Sequence, residues 1–250
     1  MIRYGLKLWS QNDPSLFTEA IRLYKKGVFN FLELYINPGS FDKNNFEKLR
    51  EIPITIHATH ELHGLNLAHS NQRNTKILEE VFCFADFLNA NYIVLHPGSG
   101  GDLQTTMNHL GTIKDPRVLI ENMPYRVMPV LGSETCNGAS IEEMQGFKNL
   151  GFGMCLDVGH AVAASVAYRI PYKKYVEKLL ALSPFYFHVS DGNIDLDYDE
   201  HKDLGEGKID YAWIKSQLQK LEEAWVVFET PKKGIGLEND LKNREYFEKL

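Results

Sequence analysis

Between His188 and Gly207 the chain reads HVSDGNIDLDYDEHKDLGEG. An apolar run ends on His188, Asp191 follows, Asp199 and His201 stand two apart, and Gly205 and Gly207 close the stretch. Imidazole and carboxylate donors of this kind suit zinc, manganese or iron. Similar endings recur: apolar runs stop at His57, His96, Glu121, Asp157 and Glu229, and His160 lies three residues beyond Asp157. A lone His or Glu at the end of a strand commonly caps or anchors a loop. Nine such groups in one concave space would instead bring carboxylates close enough to raise one another's pKa. Bound cations relieve that repulsion, so His57, His96, Glu121, Asp157, His160, His188, Asp199, His201 and Glu229 are expected to hold metal.

What must bring them together is a repeating strand and helix rhythm. Strand-like runs are expected at Ile2 to Trp9, Phe29 to Ile36, Pro53 to His57, Asn91 to His96, Arg117 to Glu121, Phe152 to Asp157, Phe185 to Val189 and Ala224 to Glu229. Helical spacing fills the gaps, from Ser15 to Lys26, Asp42 to Arg50, about Ser70 to Asn89, Leu103 to Gly111, Ser140 to Leu150, His160 to Leu182 with a break at Pro171, Asp210 to Glu222 and Leu237 to Leu250. Eight such units predict an α/β fold, a single (β/α)8 TIM barrel over residues 1–250. An open doubly wound sheet is the alternative, but the glycines at 98, 100 and 101 do not form the GxGxxG pattern of a dinucleotide site. Active sites of the barrel form where strands end and βα loops begin, which is where the nine residues fall.

Composition narrows the class further. With 44% hydrophobic and 24% charged residues, the chain has the profile of a globular protein. Its formal net charge of -6 gives no bulk attraction to nucleic acid. Cys83, Cys136 and Cys155 lack CxxC spacing and are expected to be small buried side chains in a reducing compartment. The N-terminal MIRYGLKLWS does not read as a signal peptide, and no stretch is apolar enough for a membrane span, so the expected address is the cytoplasm. Other residues are secondary candidates. His60, His63 and His69 follow the third strand, with His60 a rival to His57 as ligand. Glu33 stands at the end of the second strand, and Lys7, Trp9, Tyr125 and Arg126 are candidates to line a pocket.

The strings HPGSG at 96 to 100, IEN at 120 to 122, CLDVGHA at 155 to 161, HVSD at 188 to 191 and DEHKDLGEG at 199 to 207 resemble endonuclease IV, within the xylose isomerase-like superfamily of barrels. The resemblance spans essentially the whole chain and implies up to three zinc ions, with manganese as another occupant. It places His57, His96 and Glu121 at one ion, Glu121, Asp157, His188 and Glu229 at a second, and His160, Asp199 and His201 at a third. Turnover would then depend on Glu121 and Glu229. The implied chemistry is hydrolysis of a phosphate ester, such as the phosphodiester 5′ of an abasic site in duplex DNA. Metal ions depress the pKa of water, so no protein nucleophile is required.

Three stretches depart from that pattern. Glu200 stands where the family usually has Arg, INPGSFD at 36 to 42 lacks the basic DNA-entering loop, and HATHELHGLNLA lacks the wedge tyrosine. FLELY in the second strand resembles the isomerase and epimerase branch, whose substrate would be a small sugar or sugar phosphate. In that alternative one divalent ion sits among Glu121, Asp157, His188 and Glu229 while carboxylates move a proton beside a carbonyl.

Overall fold

The computed structural model describes residues 1–130 and 132–250. Strands run at Ile2–Trp9 (β1), Phe31–Tyr35 (β2), Ile54–His57 (β3), Tyr92–Leu95 (β4), Val118–Glu121 (β5), Gly153–Asp157 (β6), Tyr186–Val189 (β7) and Ala224–Phe228 (β8). Each pairs in parallel with the next, and β8 returns to β1 to close the barrel. Helices lie at Pro14–Lys25 (α1), Lys43–Phe46 (α2), Gln72–Phe87 (α3), Leu103–Thr112 (α4), Ile141–Asn149 (α5), Val158–Ala167 (α6), Tyr172–Leu180 (α7), Tyr211–Leu218 (α8) and Glu238–Lys249 (α9). The expected (β/α)8 barrel is therefore the observed one. Among the described residues no helix is long and apolar enough to cross a membrane.

Element ends differ from the sequence expectation for local reasons. Asn30 lies outside β2, its side chain accepting from the Tyr4 amide at 2.8 Å. The helix expected over 42 to 50 divides into α2, capped by Asp42, and a tighter 3-10 turn at Glu47–Glu51. Asp210 caps α8 through the Trp213 amide rather than joining it. Cys136 and Cys155 are buried as expected, but Cys83 is exposed on α3.

Parallel strands covered by helices bury both faces, and their side chains alternate between two cores. Residues such as Leu32, Ile54, Ile93, Ile120, Leu156, Phe187 and Val226 face outward into the layer beneath the helices. Phe31, Val94, Leu119, Cys155, Tyr186, Trp225 and Val227 fill the barrel interior. Gly5 makes room for this plug: a Cβ there would lie 2.4 Å from the Phe31 ring. Two residues beyond each interior apolar group the same face reappears, now as Glu33, His96, Glu121, Asp157, His188 and Glu229. Period two thus sets an apolar plug at one end of the barrel and polar donors at the other.

Candidate metal centre

Among the described residues five overlapping groups of donors meet above the plug, and within each the donor atoms lie within 4.8 Å of one another. Two of them bring in Glu33 (with His57, His188 and Glu229) and Cys155 (with Glu121 and His188), and the other three cover the nine expected residues. In the first of these three, His57 Nε2 and His96 Nε2 stand 3.3 and 3.1 Å from Glu121 Oε2. In the second, His188 Nδ1 is 3.1 Å from Glu121 Oε1 and 3.0 Å from Glu229 Oε1, with Asp157 completing the set. In the third, His201 Nδ1 lies 2.8 Å and His160 Nε2 3.9 Å from Asp199 Oδ2. Glu121 belongs to two of the three, and His201 Nε2 reaches to 3.3 Å from Glu229 Oε2. All nine residues expected from the sequence lie together at this end of the barrel.

Hydrogen bonding around them leaves lone pairs aimed inward. His57 Nδ1 donates to the Ala58 carbonyl at 2.7 Å and His160 Nδ1 to the Asn122 carbonyl at 2.9 Å, which turns Nε2 of each ring inward as a candidate metal donor. Burial, then the nearby Lys7 ammonium, lower the His57 pKa and keep the ring neutral. The buried oxygen Asp157 Oδ2 has no hydrogen-bond partner, and Glu121 Oε2 and Asp199 Oδ2 face only imidazole nitrogens of the other candidate donors. Orphaned buried acceptors are costly, and oxygen and imidazole donors converging on one point are what a divalent cation would satisfy. Burial pushes the Asp157 carboxyl up to about 6, opposed by His160 and reinforced by Glu121, Asp199 and Glu229. The residues present therefore fit metal ions.

Local structure explains their placement. Asp157 ends β6 and caps α6 through the His160 amide at 2.6 Å, which fixes His160 three residues on. Asn122 ties this corner to β5: its side chain accepts from the Asp157 amide at 2.8 Å and donates to the Asp157 carbonyl at 3.0 Å. Asp191 accepts from the amides of Gly192, Gly205 and Ile209, so it folds the loop that delivers Asp199 and His201. Gly159 lets Asp199 approach, since a Cβ there would lie 2.8 Å from its Oδ1. His201 itself adopts φ 48°, a left-handed conformation that non-glycine residues rarely hold without outside support.

Glu33 is the residue whose role the sequence left open, and its surroundings define it. The buried carboxylate accepts from Tyr186 Oη at 2.7 Å and His188 Nε2 at 2.9 Å, and Lys7 Nζ lies 3.0 Å away. A proton on His188 Nε2 leaves Nδ1 to face Glu121 and Glu229, so Glu33 sets the orientation of a donor rather than anchoring a loop. Burial works against its charge, yet His188 and Lys7 prevail and hold its carboxyl at about 2. Lys7 also contacts Glu229 directly. Asn122, Glu33 and Lys7 make this support, and only their positions beside strand ends hinted at it.

A cavity of about 560 Å³ opens over the donors. Lys7 and Trp9 line it as expected, but Tyr125 and Arg126 do not: Tyr125 packs on Tyr168 and Arg126 pairs with Asp197 at 2.8 Å. His60 and His63 face the cavity without joining a donor group, His63 Nδ1 instead meeting Tyr35 Oη at 2.7 Å. His69 is exposed and outside it.

The model of the xylose isomerase-like TIM-barrel family matches residues 40–249. A curated relative described as a probable endonuclease 4, from Halothermothrix orenii, is 26% identical over 222 residues, covering 76% of each chain. Among solved structures, endonuclease IV from Thermus thermophilus superposes with a TM-score of 0.71 at 22% identity, covering 99% of this chain and 98% of its own. A D-tagatose 3-epimerase-like protein superposes with a TM-score of 0.72 at 21% identity, over 99% and 96%. At these identities the two structures attest to the barrel fold alone.

Proposed function

Because the chain belongs to the xylose isomerase-like TIM-barrel family, we propose that it is a divalent-metal-dependent phosphoesterase with three metal positions. The observation that supports this reading is the third donor group, His160, Asp199 and His201, set against the other two. A single-ion isomerase has no use for it. His57, His96 and Glu121 would hold one ion, Glu121, Asp157, His188 and Glu229 a second, and the third group the last. Zinc suits this mix of imidazole and carboxylate, and manganese is the next candidate. Bound divalent ions supply Lewis acidity, polarising a phosphoryl oxygen and making water a competent nucleophile near neutral pH.

The protein's own groups hold the geometry in which this operates. Glu33 and Asn122 orient His188 and His160, and Glu121 and Glu229 link neighbouring groups. Burial opposes the Lys7 ammonium, yet Glu229 and Glu33 outweigh it and push its pKa up, so Lys7 stays charged and offsets the two carboxylates it holds beside the donors. Cys136 also lines the cavity, but burial and Glu61 push its thiol up, which makes it a poor nucleophile. Hydrolysis then forms a phosphorus bond to the oxygen of water and breaks the bond to the organic oxygen, which leaves with a proton.

The abasic-site phosphodiester suggested by the endonuclease 4 relative is the first substrate to assay, beside simple phosphate esters. Glu121→Gln, which weakens a donor shared by two groups, is expected to abolish turnover of whichever substrate is cleaved, and retained turnover would refute its role. A second reading, a sugar isomerase or epimerase, is favoured by the single group of Glu121, Asp157, His188 and Glu229 at the floor of a cavity of small-molecule size. Conversion of a ketose in the presence of manganese, without ester cleavage, would establish it instead.

A further inference from the structure

Above the donors, the loop between β5 and α5 gives the cavity an apolar stretch of wall. Met123, Val127 and Cys136 pack into a small buried cluster of their own, and Pro124 and Met128 extend it along the cavity. The loop is a hairpin: the Val127 amide donates to the Glu134 carbonyl at 3.1 Å, the Cys136 amide to the Tyr125 carbonyl at 3.0 Å, and Arg126 and Thr135 form an antiparallel bridge. It is tied down at both ends, by the Asn137 amide on the Gly98 carbonyl at 2.9 Å and the Arg126 amide on the Asp197 carbonyl at 3.2 Å. The wall is therefore a formed surface. Trp9 also lines the cavity while remaining 48% exposed, beside Tyr35 with ring centroids 6.4 Å apart.

The rim offers little to a polyanion. Arg126 pairs with Asp197, Lys202 with Glu200, Lys208 with Asp195, Lys232 with Asp240, and Lys233 with Asp203 and Glu206. Arg73, at the start of α3, donates to the His63 carbonyl. Affinity for duplex DNA rests on cations free to displace its counterions, and the lysines that line the cavity, Lys7 and Lys232, like those named above, are already paired with carboxylates. An extruded abasic sugar, moreover, carries no apolar group to cover the methionine and tryptophan surfaces.

We propose that the site takes a small phosphate ester whose organic part is apolar or aromatic, seated between Trp9 and the side chains of Met123, Val127, Met128 and Cys136, with its phosphoryl group over the nine donors. This rests on the phosphoesterase reading and narrows its substrate class. A cavity of about 560 Å³ holds such a molecule whole, within the usual range of a few hundred to about 1,000 Å³ for small-ligand pockets.

The test is calorimetric titration of zinc-loaded protein with phenylphosphonate and with methylphosphonate, two anions that share a headgroup and differ in the ring, with zinc content measured on the same samples. Burying one face of the ring should favour phenylphosphonate by about tenfold or more. Met128→Asp and, separately, the half-exposed Trp9→Ala should each shrink that preference while zinc content and circular dichroism stay as in the parent. Binding of both phosphonates with equal affinity would overturn the inference while leaving the phosphoesterase reading in place. If neither phosphonate binds at full zinc occupancy, both readings are overturned. Tighter, salt-dependent binding of a duplex carrying an abasic analogue would overturn the small-substrate assignment alone.

Discussion

Replacing Glu33 with Gln should weaken the metal position that uses His188 and leave the other two nearly unchanged. Three groups converge on the carboxylate: Tyr186 Oη at 2.7 Å, His188 Nε2 at 2.9 Å and Lys7 Nζ at 3.0 Å. Burial and the Glu33 charge push the Tyr186 hydroxyl well up, so it remains a donor. Glutamine keeps one acceptor oxygen but turns an NH₂ group toward donors that cannot accept from it. The result is either a lost bond to His188 or a ring free to present the wrong nitrogen. Loss of such an orienting partner typically weakens metal binding about 10- to 100-fold, or about 1.4 to 2.8 kcal/mol, which matches the roughly 1.5–3 kcal/mol of a hydrogen bond to a charged group. Lys7 retains Glu229, so the fold should survive. Competition against a chromophoric chelator would resolve the affinities of the separate zinc equivalents. If every equivalent binds as tightly in Glu33→Gln as in the parent protein, the assignment of Glu33 as the partner that orients His188 is refuted.

His201→Ala should lower bound metal by about one equivalent while circular dichroism stays native, because His201 is one-third exposed on a loop that Asp191 anchors independently. Unchanged stoichiometry would remove His201 from the third group. Gly5→Ala should destabilise the barrel by about 1–3 kcal/mol, read from the urea midpoint, since the added methyl overpacks against Phe31 and Val227. An unchanged midpoint would mean that the interior plug is looser than its contacts indicate.

Much of the centre was readable because strand periodicity and the polarity of a barrel are local and general rules. A His, Asp or Glu placed two residues beyond an interior apolar side chain must face inward at the same end of the barrel, whatever its distance along the chain. Asp157 and His160 were readable together because a cap and its helix lie three residues apart. Glu33 was not, because its meaning comes from Tyr186 and His188, more than 150 residues away and brought to it only by closure of the sheet. The shared apolar wall of Met123, Val127 and Cys136 carried no sequence signal, since the hydrogen bonds that hold its segments to Gly98 and Asp197 are also tertiary. Tyr125 and Arg126 looked like pocket residues from position alone, but neighbours on α6 and the loop after β7 draw them away. Cys83 fell on the solvent side of α3, a face that residue type by itself does not specify.

The account stands or falls on the number of ions held by the nine converging donors. Plasma emission analysis of protein purified without chelator should find close to three equivalents of zinc, or of zinc and manganese together, per chain. One equivalent at full saturation would contradict the three-position centre and turn attention to the single-ion isomerase arrangement of Glu121, Asp157, His188 and Glu229.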